Sequence, residues 1–375
     1  MPTRSSQISV ILNRDSLLTF YDRFARLVEK LPGGLQKPIL REMLPIRQVF
    51  LEQRPARVIL LGDPGKSVPE FLHLLSGSNV ETGSSEQGWR SYRVADRGEI
   101  FILDARAETP QSVMDAALAH SRPDIAVLLK ESHDDESGFA TAVTRAAACG
   151  PETPLIGVAL GGGSRLTALL NANREFSIRK VSVSTPEAGN SLPEAICALL
   201  PNPAKLEFAR LTGAKEAQAQ IAGSLLKSFT AVCGVIGLQP IPLADLPVLT
   251  SLQTLMVSLV IHTSGKSVSP RLVGEFLGAL GLNIGAGILF RESARAIIKI
   301  VPLWGNAVSG FVAGAGTYAI GRAAIAYFIE ETPIQETKKL FQRLLPGWDA
   351  FRKRRLPMLP GSKEARKNNS RDGGS

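Results

Sequence analysis

Between residues 240 and 328 the chain carries three segments that are poor in charge and rich in Gly and Ala: PIPLADLPVLTSLQTLMVSLVIHTSG, LVGEFLGALGLNIGAGILF and VPLWGNAVSGFVAGAGTYAIGRAAIAYF. A charged helical stretch, RESARAIIKI, separates the second from the third. Segments this apolar must bury against one another or against lipid. Residues 246–265 and 300–321 are uncharged and each about 20 residues long, enough to cross a bilayer as helix. The first of them also holds Ser251, Gln253, Thr254, Ser258 and His262, and Leu249, Leu252, Leu255, Met256 and Leu259 form a one-sided stripe. That stripe is the mark of a half-buried helix, so packing within a bundle is the first expectation and a spanning pair the alternative.

Two further amphipathic stretches open the chain. Asp15 or Ser16 caps a helix carrying Leu17, Phe20, Phe24, Leu27 and Leu31, which Pro32-Gly33-Gly34 stops. A second helix, over about 38–51, carries Ile39, Leu40, Met43, Leu44, Ile46, Val49 and Phe50. Together they form an arm expected to pack on the rest of the protein, with a membrane-surface helix as the other reading.

From Arg57 the period changes. Short apolar runs at 58–61, 89–95, 99–103, 125–129, 155–160 and 179–184 alternate with helical patterns at 69–75, 111–119, 139–148 and 192–200. The runs at 89–95 and 99–103 form a hairpin through Arg97-Gly98. Alternation of this kind predicts a mostly parallel sheet with helices on both faces. Pro201-Asn202-Pro203 punctuates its end, and everything after it to Phe328 is helical in pattern. The expected fold is therefore α/β plus all-α: an arm (1–56), a sheet domain (57–200), a Gly/Ala-rich helical domain (203–331) and a basic tail (332–375) expected to be largely disordered.

Composition adds three limits. A chain of 375 residues is long enough for two cores. The net charge of +9 is concentrated in Arg41, Arg47, Arg54 and Arg57 and in the tail from Arg352 to Lys367, where it fits anionic lipid or simple solubility; nucleic acid is not expected as a partner. The three cysteines, Cys149, Cys197 and Cys233, are far apart and fit neither a disulfide framework nor a zinc site. With no secretory pattern at the N-terminus, a cytoplasmic location is expected. No Ser/His/Asp, Cys/His or paired-carboxylate arrangement stands out.

The chemistry-bearing stretch is Leu60-Leu61-Gly62-Asp63-Pro64-Gly65-Lys66-Ser67. Strand, glycine loop, Gly-Lys-Ser and helix is the layout of a phosphate loop, whose N–H groups wrap phosphates while Lys neutralises them and Ser holds Mg2+. Here the loop is two residues short, with Leu60 where its first glycine belongs, and Pro64 removes one donor. It can still aim a helix N-terminus and Lys66 at an anion. Ser264-Gly265-Lys266-Ser267 repeats the signature but follows a helix, not a strand. Arg291, Arg295 and Lys299 recur on one helix face and offer a basic row for solvent or for phosphate-bearing groups.

On these stations residues 57–200 resemble an Era-type small GTPase domain. Asp104 in ILDARA stands where that domain's second strand motif ends in Asp-x-x-Gly, with Ala107 in place of the glycine; Gly161-Gly162-Gly163 stands where the guanine-reading Asn-Lys-x-Asp belongs. Residues 203–331 resemble the uncharacterised helical domain of bacterial YcjF-like proteins through LEFAR, QPIPLAD, EFLGALG, WGNAVSG and IAYF. The resemblance implies GTP or GDP with Mg2+ as ligands, held by Gly62, Asp63, Gly65, Lys66, Ser67 and Asp104, and an inner-membrane association. The departures point instead to a scaffolding or regulatory protein acting through its helical domain on a membrane, a protein partner or a second copy. A slow GTPase with a remodelled loop and an integral inner-membrane protein are the alternatives.

Overall fold

The computed structural model describes residues 33–62, 67–95, 97–106, 109–130, 139–159, 191–237, 245–282 and 305–345, with Asp22, Arg26, Val28 and Glu29. In chain order its elements are α1 (Gly33–Ile46), continued by a π-helical turn (Arg47–Leu51), β1 (Ala56–Gly62), α2 (Val68–Ser76), β2 (Val80–Glu86), β3 (Trp89–Val94) and β4 (Gly98–Asp104). Then come α3 (Gln111–His120), β5 (Ile125–Lys130), α4 (Phe139–Ala148), β6 (Leu155–Ala159), α5 (Ser191–Leu199) and α6 (Asn202–Thr212). The helical part comprises α7 (Lys215–Gly237), α8 (Asp245–Thr263), α9 (Pro270–Ala279), α10 (Gly305–Phe328) and α11 (Ile334–Leu344).

The sheet runs β2-β3-β4-β1-β5-β6, antiparallel through β2, β3 and β4 and parallel from β4 to β6. Its centre, β1, carries the continuous apolar run Val58 to Leu61 because both its faces are covered. Val58 and Leu60 pack with Phe71 and Leu72 of α2, Ile196 of α5 and Phe208 of α6; Ile59 and Leu61 pack with Met114 of α3 and Ala142 of α4. The result is a three-layer α/β domain, with the hairpin at Arg97-Gly98 as the sequence predicts.

One strand was not legible. β2 has Val80 as its only apolar residue and is almost wholly exposed; it forms because its backbone pairs antiparallel with β3. A bulge between Thr82 and Ser85 twists this outer edge, a device that blunts edge-to-edge pairing.

The helical part has its own core. Phe229, Val232 and Cys233 of α7, Met256 and Val260 of α8, and Ala319, Ala323 and Phe328 of α10 are all buried in one cluster. A side chain at Gly321 would press on Leu226 and Met256, so the glycine sets how closely α10 approaches α7 and α8. Ile39, Met43, Ile46 and Phe50 of the arm join the same cluster.

The expected helix at 15–31, apart from four of its residues, and the expected strand at 179–184 lie outside the described residues, as do Arg291, Arg295, Lys299 and the tail from 346 onward. The first part of the tail, set at 332–375 and expected to be largely disordered, instead forms α11, with Thr337 and Phe341 buried. Of the two apolar stretches long enough to span a bilayer, the first forms α8, with Leu252, Met256, Val257 and Val260 buried, and the second contributes to α10. Among the described residues, the helix long and apolar enough to cross a membrane is α7, and Phe229, Val232 and Cys233 on it are core residues.

Candidate functional site

The chain leaves β1 towards β4 on one side, and then crosses to β5 on the other. Such a switch point opens a crevice outside the carboxyl end of the central strand, where ligands of open α/β sheets bind. The sequence places its phosphate-loop stations here. Gly62 closes β1 at φ +98°, and a Cβ there would overlap the carbonyl of Leu129 on β5, so only glycine fits. Asp63, Gly65 and Lys66 lie outside the described residues.

Ser67 is the N-cap of α2, and the first turn closes on itself. The Ser67 hydroxyl accepts the Glu70 N–H at 3.4 Å, while Glu70 Oε2 accepts the Ser67 N–H at 2.7 Å and the Ser67 hydroxyl proton at 2.8 Å. This is a reciprocal capping box, followed by Pro69, which has no N–H to offer. The positive end of the α2 dipole thus already holds an anion, the helix's own carboxylate.

Asp104 ends β4 on the other flank. Its carboxylate receives a two-pronged bond from Arg106, Nε at 2.7 Å and Nη2 at 2.6 Å. The segment that follows is pinned by Arg145 from α4. Arg145 Nη1 donates to the carbonyls of Ala105 and Arg106, and Nη2 to that of Thr109, each at 2.7 Å. Thr109 Oγ1 donates to the Asp104 carbonyl at 2.8 Å, and the Ala105 N–H bonds the Leu60 carbonyl at 2.9 Å. Arg106, Arg145 and Lys130, which ends β5, are all buried.

A nucleotide with Mg2+ needs free N–H groups at the helix start, a hydroxyl turned to the metal and a carboxylate with open lone pairs. Among the described residues the Ser67 N–H and hydroxyl are bonded to Glu70 and the Asp104 carboxylate to Arg106, so a Mg2+-nucleotide would have to compete with both partners. The described residues contain no cluster of three His, Cys, Asp or Glu able to hold another metal. A shallow cleft of about 440 Å³ runs along α2 and β2, lined by Pro69, Glu70, His73, Leu74, Asn79 and Val80. Two of its polar groups are partnered within the protein, Glu70 with Ser67 and His73 with the Ser78 carbonyl.

The joint between the two domains carries the other polar cluster. Glu207 of α6 accepts the Glu99 N–H at 3.3 Å and pairs with Arg210 at 3.2 Å; Arg210 Nε donates to the His262 carbonyl, at the end of α8, at 3.0 Å. Burial pushes the Glu207 carboxyl up against the pull of Arg210, and burial lowers the Arg210 guanidinium. His262 is pushed down to about 3, first by burial and then by the Arg210 charge, and its ring lies 6.3 Å from that of Phe50. His262 is therefore a neutral packing residue.

Sequence reasoning missed Arg145, Arg106 and the Glu207–Arg210 pair. Ser67-x-x-Glu70 is a capping-box signature and was readable as one. Arg145 left a fainter trace: a single charge in the apolar helix FATAVTRAAA. Compared with known proteins, the chain matches no family model and no curated protein.

Proposed function

We propose that this protein is a GTPase-like scaffold that has given up the nucleotide as its ordering ligand and acts through its helical domain on a partner surface. The observation that carries the reading is the Arg145 clamp. In a working GTPase the segment after the Asp-bearing strand changes state with the γ-phosphate and its Mg2+. Here the same segment is held by three carbonyl bonds to Arg145, and Asp104 is neutralised by Arg106. The capping box at Ser67 adds to this, because an entering phosphate would have to displace Glu70. A sheet domain braced by its own side chains serves as a rigid base, and α6 passes that rigidity to the bundle through Glu207 and Arg210. Residues 203–331, with α1 of the arm packed into their core, present the working surface, on a membrane or a protein.

Nucleotide titration of the full chain tests the reading. GTP, GDP and a non-hydrolysable GTP analogue, each with Mg2+, are expected to leave Tm unchanged at 1 mM, a concentration at which a ligand with a Kd of about 10 μM would stabilise by about 2.7 kcal/mol. Sub-micromolar GTP binding that Lys66→Ala abolishes would overturn the scaffold reading in favour of a slow GTPase with a remodelled loop.

A further inference from the structure

Resting on that scaffold reading, we propose that the partner surface is an anionic lipid bilayer and that the outward face of α1 contacts it. At 100° per residue, Ile39, Met43 and Ile46 form the buried side of α1, Lys37, Arg41 and Leu44 come out on the far side, and Leu40 lies on the flank beside Leu44. Leu40 is 38% and Leu44 48% exposed, one turn apart on the same face. Few large apolar side chains are exposed among the described residues; the others, Leu74, Val113 and Tyr318, sit singly on separate elements.

Basic side chains frame the leucines. Lys37 and Arg41 are exposed and make no ion pair among the described residues, and Arg47, one turn on, meets Glu52 at 3.5 Å in an exposed pair. Glu42 projects from the flank, about 100° round from Arg41. Two leucines between long basic side chains match an interfacial helix, whose apolar residues enter the acyl boundary while Lys and Arg reach the headgroups. The charge complements an anionic surface. A protein partner is less well matched, since the face carries no aromatic anchor and is the convex side of a single helix.

The experiment is co-sedimentation of the full chain with vesicles of phosphatidylcholine alone, or with roughly one third phosphatidylglycerol to supply the surface charge. Binding to the mixed vesicles is expected, at least about tenfold weaker on the neutral ones. Leu40→Glu/Leu44→Glu should lose about tenfold or more in partition with Tm unchanged. Lys37→Gln/Arg41→Gln should lose about 25-fold, about fivefold for each charge. An environment-sensitive dye on Leu44→Cys, with the three native cysteines buried, should shift to the blue on adding mixed vesicles and stay put with neutral ones. If the leucine variant folds and binds as the parent does, or the dye does not shift although the protein sediments, the α1 assignment is overturned while a membrane partner stands. If the protein sediments with neither vesicle, the lipid partner itself is overturned, and the scaffold reading remains to be decided by the nucleotide titration.

Discussion

Gly98 and Glu207 share one space. A Cβ at position 98 would overlap Oε1 of Glu207, the atom that accepts the N–H of Glu99 at 3.3 Å. The turn between β3 and β4 is therefore shaped to receive a carboxylate from α6, and α6 in turn holds the end of α8 through Arg210. This short polar relay is one of the places where sheet and bundle meet.

The relay makes a double-variant prediction. Glu207→Ala leaves the Arg210 charge half without its partner in a buried setting, at a cost of about 3 kcal/mol. Gly98→Ala should cost about 1–3 kcal/mol, from overpacking against Glu207 and from the φ of +157°. Once Glu207 is Ala, only the backbone part of the Gly98→Ala cost remains, about 1 kcal/mol. Urea unfolding of the four proteins measures the coupling; strict additivity would show that the two positions do not share a space in solution.

His262, because it is buried, should make stability fall as pH falls. Its ordinary value is 6.5 and its folded value about 3, so between these the unfolded chain binds the extra proton. Stability conferred by the neutral ring is complete above 6.5 and is lost as pH falls towards 3, with a slope approaching about 1.4 kcal/mol per pH unit. His262→Gln should flatten the loss between pH 6.5 and 5, where most carboxylates are still ionised. Equal pH slopes for parent and variant would rule out His262 as its source.

Arg145→Met tests the clamp. It removes the donors to the carbonyls of Ala105, Arg106 and Thr109, and amides around 105–109 should exchange faster by at least about tenfold while those of β1 and β5 keep their protection. The global cost is expected at about 2–3 kcal/mol. Hydrogen exchange followed by mass spectrometry reads both. Unchanged exchange at 105–109 would mean that the segment is ordered by something other than Arg145.

Much of this architecture was legible because it rests on local periodicity. Val58 to Leu61 forms a buried central strand, and 139–148 forms α4 with the same bounds as the pattern gave. β2 was illegible because its sequence, VETGSSE, has no apolar alternation, and a partner strand rather than a core holds it. The site was half legible. Gly62, Ser67 and Asp104 come from the order of strand, loop and helix, which sequence carries. Their partners do not: Arg106 bonds Asp104 because of how the chain turns after β4, and Arg145 reaches the same turn from 36 to 40 residues away. The Glu207–Glu99 contact spans 108 residues and depends on domain packing, to which no periodicity points.

The arm is the last and largest test. Ile39 and Met43 are each 1% exposed, and Ile46 and Phe50 join them in the core cluster of α7, α8 and α10. Phe50 also lies beside His262, at the end of α8 that Arg210 grips. The arm is thus a wall of the bundle, not an appendage. Each of these side chains contributes about 1.5–3 kcal/mol by burial, so losing all four would remove a large part of a domain's net stability of about 5–15 kcal/mol. Met43→Ala alone should cost about 2–5 kcal/mol, the range for a methionine replaced in a packed core. Leu44→Ala, one residue on and 48% exposed, should cost under about 1 kcal/mol. A chain lacking residues 1–51 should expose the facing surface of α7 and aggregate at micromolar concentration. Size-exclusion chromatography with urea unfolding separates the outcomes: a monomeric armless protein with an unchanged Tm would show that the bundle closes without the arm.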